Sequence, residues 1–393
     1  YVIQSVLLGF AALPLFAFAR LYVSAGAACV IALVYLLSPG VHGTNLYEFH
    51  YLPLSTFFLW LALYALEARR EVLATIAVVL ALTLPEDGAI ALMVWGAYLL
   101  VSGKRPRAGL VVGAVAGVYV LLLTTAILPP FLGSETVSPM YQKLMPNGET
   151  GVTSLLKTVV GNPWYTAGTL LEEPKLVFVL QMFVPLALAP LRRRITLLFA
   201  LPGVFFTLLA TGYSPMLSIH YQYSAYWTTY LLVATVLVLA SLSRSGRRSA
   251  LFGIALATLA CSYQYGAVMQ HNTSAGGPVA YKFGVDHDGR ARHEALAEVL
   301  TSLPPRAKVS CSAFTTPQVS NRPDAYSMTL GLYDAEYMLF PTVRADFIGG
   351  EYDAVLSSLQ RRTFGVVAVS RPFALARRGQ DPSKNDEVLS MIR

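Results

Sequence analysis

The residues able to do chemistry are few, and they sit at the ends of long apolar runs. Tyr47-Glu48-Phe49-His50 places a carboxylate and an imidazole two residues apart. Such a pair can relay a proton or share a divalent cation. It can equally be a plain helix entry, with Glu48 favoured by the dipole of the first turn. Pro85-Glu86-Asp87-Gly88 sets two adjacent carboxylates between two short runs. They either cap the second run after Pro85 or line a wet recess. His220 opens another run and is followed by Tyr221 and Tyr223. Tyrosines at such a boundary are ordinary interfacial residues, to which His220 adds a titratable group. Lys143, Lys157 and Lys175 could meet a lipid phosphate or simply be solvated. Asp286-His287-Asp288 has the residue types of a metal cluster, but the following Gly289 makes it a turn. Asn272-Thr273-Ser274 is formally a glycosylation sequon.

The elements that must position these groups are apolar. Charged residues are 13% of the chain and apolar ones 55%, against about 25% charged in soluble domains. Ten apolar segments are expected, at 2–19, 22–37, 51–66, 72–84, 88–101, 108–128, 176–190, 195–209, 225–240 and 251–269. Backbone groups in lipid must bond within their own segment, so these are helices. Several are shorter than the ~20 residues of a perpendicular span. Tyr1 enters the first run at once, without a basic n-region or a small-residue cleavage site. That reads as a chain beginning partway through a longer protein.

The net charge of +7 is no nucleic-acid signal once it is mapped. Arg20; Arg69 and Arg70; Lys104, Arg105 and Arg107; Arg192, Arg193 and Arg194; and Arg244, Arg247 and Arg248 fall in alternate loops. The intervening loops 38–47, 85–87 and 211–224 hold no Lys or Arg. The basic loops are therefore expected to be cytoplasmic, and the bare ones outer. Glu48, His50, Glu86, Asp87 and His220 then all face the outside. From Arg70 to Pro85 the rise is only about 24 Å, and from Asp87 to Val101 about 22 Å. The hydrocarbon core is about 30 Å thick. An acidic turn between two such short helices is drawn below the outer surface, where carboxylates need water or partners. The three cysteines, Cys29, Cys261 and Cys311, make no even framework and are expected to stay unbridged.

The loop 129–175 carries an amphipathic stretch, Thr153 to Val160, suited to lying on a membrane. Trp164 and Tyr165 are types that settle at headgroup depth. From His271 the composition turns soluble, with 14 Lys and Arg against 13 Asp and Glu. An amphipathic helix is expected over 292–303, a strand over 308–312, a helix over 353–359 and a strand over 364–370. The division is thus 1–270 for the membrane part and 271–393 for a small extracytoplasmic α/β domain.

An acid-Phe-His at a helix start, a Glu-Asp pair two helices on, a His-Tyr after a Pro-containing loop and an α/β tail occur here in that order. This order resembles the bacterial membrane proteins grouped as domain of unknown function 2079. That family is itself similar to the GT-C superfamily of polytopic glycosyltransferases. Phe49 and His50 match the family's Phe-His, Glu86 and Asp87 its Glu-Asp, and His220 with Tyr221 its His-Tyr. Glu48 stands where Asp is more usual. GT-C enzymes keep a catalytic acid in the first outer loop, which here would precede Tyr1.

The resemblance implies an all-α polytopic membrane protein with a GT-C-like bundle of about ten helices. It implies a glycosyltransferase-like enzyme using a polyprenyl-phosphate sugar at the outer face of the membrane. Glu48, His50, Glu86, Asp87 and His220 are then the catalytic candidates. Tyr221, Tyr223, Lys143 and Lys157 are the substrate-binding ones, with a divalent cation as the candidate cofactor. The partners are membrane lipid and the lipid-linked sugar, not nucleic acid. A transporter or flippase ranks second, because the charges sit near helix ends and no repeated halves are visible. A scaffold whose tail binds cell-envelope partners is the third reading.

Overall fold

The computed structural model describes residues 2–84, 87–128, 139–145, 152–271, 282 and 284–392. The chain divides into two compact units, Tyr1–Tyr281 and Lys282–Arg393. Among the described residues of the first unit the long apolar runs are mostly helical, the conformation that satisfies their backbones internally.

Helices α1 (Val2–Phe10) and α2 (Ala12–Arg20) meet at Ala11 and form one apolar rod. Helix α3 (Ala25–Leu36) starts at Ser24, whose side chain accepts the Ala27 N–H. Helix α4 (Pro39–Leu46) follows after a bend of 46°. This corrects the bare loop expected at 38–47. Pro39 occupies the first turn, where its missing N–H costs nothing, and most of α4 is buried.

Helices α5 (Tyr51–Glu67) and α6 (Glu71–Leu82) form a tight hairpin. Arg69 takes a left-handed conformation there, and Arg70 N–H reaches back to Ala65 O at 2.9 Å, closing the helix end in a Schellman motif. Helices α7 (Asp87–Val101) and α8 (Pro106–Leu122) cross at glycines. A Cβ on Gly96 would lie 2.6 Å from Gly109 O and 2.9 Å from the Gly113 Cα. Small residues four apart thus let two apolar helices touch through their backbones.

The expected span 176–190 is the least regular. Its helix, Glu173–Phe183, gives way to tight turns, with Ala187 and Leu188 left-handed. Thr258 donates to the freed carbonyl of Pro185 at 2.7 Å. Pro202 lies inside the helix Thr196–Gly203, which loosens into a π turn over Val204–Leu208. The helices Ala225–Ser241 and Arg244–Tyr265 complete the unit. The second begins seven residues before its expected start at 251, because Ser243 caps it through Gly246 N–H.

Among the described residues, three helices are long and apolar enough to cross a membrane: Val2–Arg20, Pro106–Ile127 and Gln222–Ser241. The bent pair α3–α4 makes a fourth if it counts as one span. Ten is therefore more than length and composition support. The helices Tyr51–Glu67, Glu71–Leu82, Asp87–Val101 and Thr196–Leu208 are apolar but shorter.

Basic residues tie helix ends together. Lys104 bonds to the Tyr22 hydroxyl and lies 3.7 Å from Glu67. Arg105 donates to Leu66 O at 2.7 Å and pairs with Glu71. Arg193 donates to Leu237 O at 3.2 Å, and Arg247 to Leu239 O at 2.8 Å. Arg105, Arg193 and Arg247 thus sit on last-turn carbonyls, at the negative dipole ends of helices.

The second unit is a five-stranded sheet between helices. Its strands are β1 (Val309–Cys311), β2 (Ala325–Ser327), β3 (Tyr337–Pro341), β4 (Phe364–Ser370) and β5 (Phe373–Arg378), in the order β2-β1-β3-β5-β4. Strands β1, β2 and β3 are parallel, and β5 is antiparallel to both its neighbours. Strand β3 is buried on both faces. Tyr337 and Leu339 pack with Leu296 and Val299 of the helix His287–Thr301. Met338 and Phe340 pack with Val355, Leu359 and Val388 of the helices Glu351–Gln360 and Asn385–Ile392. Two-sided burial is what parallel strands require. The helix expected at 292–303 starts at His287 instead, because Asp286 caps it through Gly289 N–H.

Candidate functional site

The site is built where α4 lies against residues 218–224. Gly43 makes this possible: a Cβ there would sit 1.8 Å from Ile219 O. Ser224 bonds to Gly40 O at 2.7 Å and shares a 2.8 Å hydroxyl contact with Thr44. The far end of α4 is held by His42. Ala267 N–H donates to its Nδ1 at 3.1 Å, so Nε2 carries the proton and donates to Leu36 O at 2.8 Å.

The loop after α4 hangs on Gln4. This amide is fully buried in α1. Its Nε2 donates to Asn45 O at 3.0 Å and Glu48 O at 3.1 Å, with Thr44 O at 3.3 Å. Its Oε1 accepts the His50 N–H at 2.9 Å. One side chain thus sets the backbone on both sides of Phe49.

Tyr47 is the hub around which the site's rings gather. His50 stacks on its ring at 5.7 Å, while His220 and Tyr221 meet it edge-on at 6.2 and 4.5 Å. Glu48 Oε2 lies 3.8 Å from His50 Nε2, too long for a hydrogen bond. Nε2 is buried and has no hydrogen-bond partner among the described residues. Burial, and then Glu48, Tyr213 and Tyr221, push the Tyr47 phenol above its ordinary value. Glu48, His50, His220 and Tyr221 therefore share one aromatic centre.

Asp87 is held elsewhere in the same aromatic region, in the first turn of α7. The Tyr226 hydroxyl donates to its Oδ2 at 2.6 Å, the short length of a charge-assisted bond. Tyr226 stacks on Phe206 at 4.5 Å and on Tyr223 at 6.5 Å. Tyr223 in turn meets Tyr213 at 6.1 Å. A run of tyrosines thus leads from Asp87 towards Tyr47. Gly88 lets the start of α7 come close to α6, since a Cβ there would be 2.6 Å from Ala81 O. Glu86 lies outside the described residues.

Of the lysines, Lys143 and Lys175 converge on Glu172, each at 3.3 Å. Lys175 is almost fully buried and also donates to Thr169 O at 2.7 Å. Burial alone would raise the Glu172 carboxyl, but bonding to Lys175 and Lys143 leaves it below the ordinary carboxylate value. Lys157 is exposed on the helix Val152–Gly161. Among the described residues no three His, Cys, Asp or Glu groups gather as metal ligands.

Sequence reasoning missed Gln4, His42 and Tyr226. Gln4 is a lone amide in an apolar run, a costly residue without a partner, and that cost was the available signal. Tyr226 reads as an interfacial ring, and nothing local marks its hydroxyl as a partner of Asp87.

A family model described as predicted membrane protein (DUF2079) matches residues 1–342. No curated protein and no solved structure matches the chain.

Proposed function

The chain belongs to the predicted membrane protein family DUF2079, and from that premise we propose a glycosyltransferase-like enzyme. It takes a polyprenyl-phosphate-linked sugar at the outer face of a bacterial cell membrane. The observation that carries this is the Asp87 carboxylate, held by Tyr226 at 2.6 Å at the end of an apolar helix. A carboxylate kept there needs a reason, and proton abstraction is one. In this reading Asp87 accepts the proton of an acceptor hydroxyl as its oxygen attacks the anomeric carbon. The bond from that carbon to the phosphate oxygen breaks, and the phosphate leaves with the electron pair. Lys157, and Lys143 once it turns from Glu172, offset the phosphate charge. Glu48, His50, His220, Tyr221 and Tyr223 line the sugar's path, with Glu86 a second acid.

The topology belongs to the same proposal. Residues 1–270 form a multi-pass bundle in which the shorter apolar helices complete about ten crossings, similar to the GT-C architecture. Residues 129–175 form an outer loop, and 271–393 lie outside. Lys104 reaching Tyr22 and Glu67, and Arg193 and Arg247 both bonding the end of the helix Ala225–Ser241, support a common basic side. A reporter active only in the cytoplasm, fused after Arg393, should be silent. A bright signal overturns the orientation.

Transfer of labelled sugar from polyprenyl-phosphate mannose, glucose, galactose or arabinose is the direct test. Asp87→Asn should lower it roughly 100-fold or more, and Tyr226→Phe less. No transfer from any donor, or full activity in Asp87→Asn, sinks the enzyme reading. One observation favours a flippase instead: the α3–α4 bend of 46° resembles the broken helices of transporters. Translocation of the lipid-linked sugar across vesicles without transfer would establish that reading.

A further inference from the structure

A second place for a ligand lies wholly within the Lys282–Arg393 unit. A cleft of about 410 Å³ opens beside Ser312 and Phe314, which follow β1, and Pro341, which ends β3. This falls within the size range of small-molecule sites, about 300–1,000 Å³. Its position has a topological cause. The chain leaves β1 towards β2 on one side, whereas β3, on the other side of β1, is followed by a connection that leads away to β4 at the far edge. The loops at the carboxyl ends of β1 and β3 therefore part in opposite directions, and crevices of open α/β sheets form at such points.

The lining says what would fit. Arg292 is the one guanidinium there, and Asp346 already neutralises it at 2.7 Å. The guanidinium also lies over the Phe373 ring at 5.5 Å. The segment after β1, Ser312-Ala313-Phe314-Thr315-Thr316-Pro317, has no glycine to bring backbone amides onto a phosphate. An anion is thus poorly served. What remains is a largely exposed Phe314 ring, the exposed amide of Gln318 and the exposed imidazole of His293. Glu351 braces the loop beneath them: it is fully buried and accepts Ala313 N–H at 2.8 Å and Ile348 N–H at 3.2 Å. A charge-balanced cleft with an aromatic platform and amide, imidazole and carboxylate groups suits a ligand with an apolar face and a rim of neutral hydroxyls.

We propose that this cleft binds a neutral saccharide unit, with Phe314 under its apolar face and Gln318, His293 and the Arg292–Asp346 pair on its hydroxyls. The proposal stands apart from the chemistry assigned to the membrane unit, since it needs only binding.

The test uses the full chain in detergent micelles. Saturation-transfer NMR is run with the methyl glycosides of glucose, galactose, mannose and N-acetylglucosamine, and with inorganic phosphate and uridine diphosphate. At least one glycoside should bind saturably, and Phe314→Ala and Gln318→Ala should each weaken it about tenfold. Both positions are exposed, so the fold should survive. Lys384→Ala, an exposed control in the same unit, should leave binding unchanged. Asp87→Asn should also leave it unchanged, which separates failure of this site from failure of the transferase. Saturable binding of phosphate or uridine diphosphate alone, no binding of any glycoside, or binding unaltered in both cleft variants overturns the proposal.

Discussion

Replacing Gly43 by alanine should unfold the candidate site and lower the stability of the membrane unit by about 3 kcal/mol, the upper part of the usual overpacking range. The added methyl would lie 1.8 Å from Ile219 O and 2.9 Å from its carbon. Both are backbone atoms, so no rotamer change relieves the clash. Helix α4 must then back away from residues 218–224. That movement breaks the Thr44–Ser224 and Ser224–Gly40 contacts and separates Tyr47 from His220 and Tyr221. Thermal unfolding of the purified protein should show a fall of several degrees, together with loss of any transfer activity. Gly26→Ala is the control. Gly26 is exposed in α3 with nothing within 4 Å of a new Cβ, so it should be neutral or stabilising by up to about 1 kcal/mol. Equal stability of Gly43→Ala and Gly26→Ala would show that α4 does not sit on the 218–224 turn as described.

The same residues explain what could and could not be read from the sequence. Apolar runs such as 51–66 and 88–101 became helices within a residue or two of their expected ends, because their backbones have no other way to bond in an apolar setting. Pro39-Gly40-Val41-His42-Gly43-Thr44-Asn45-Leu46 reads as a loop, since Gly, Pro and Asn favour turns. Tertiary contact overrides that local preference: the glycines are there for close approach, not for flexibility. Three of the five strands, β2, β3 and β5, went unread. Strand β2 is only three residues long, and β3, buried on both faces, lacks the alternation that marks a strand. Within the site, Glu48, His50 and His220 stood out because titratable groups beside apolar runs are rare. Their meeting on Tyr47 depends on a helix the sequence hides, and the bond from Tyr226 to Asp87 spans 139 positions. Such pairings are set by packing alone, which one sequence does not display.

Gln4→Leu should produce the other large effect, and it isolates the loop that carries Glu48 and His50. The substitution keeps the volume roughly constant and suits the apolar character of α1, so helix propensity and hydrophobicity both favour it. Against this, the amide leaves behind the carbonyls of Thr44, Asn45 and Glu48 and the N–H of His50. A buried polar group stripped of its partner costs about 1–3 kcal/mol. Four contacts are lost, but those groups that reach water after the loop moves recover part of the cost. A net loss of roughly 3 kcal/mol follows. The loop should respond more than the bundle. Hydrogen exchange at the His50 amide should accelerate by at least tenfold through opening of the loop, while buried amides in the helix Ala225–Ser241, which exchange by global opening, should accelerate by no more than the lost stability allows. Gln4→Glu separates bonding from packing. A carboxylate of the same shape can still accept the His50 N–H, but it cannot donate to the three carbonyls, so it should be at least as damaging as leucine. Should Gln4→Leu prove as stable as the parent protein, with the His50 amide equally protected, the Glu48–His50 loop is held by something other than Gln4.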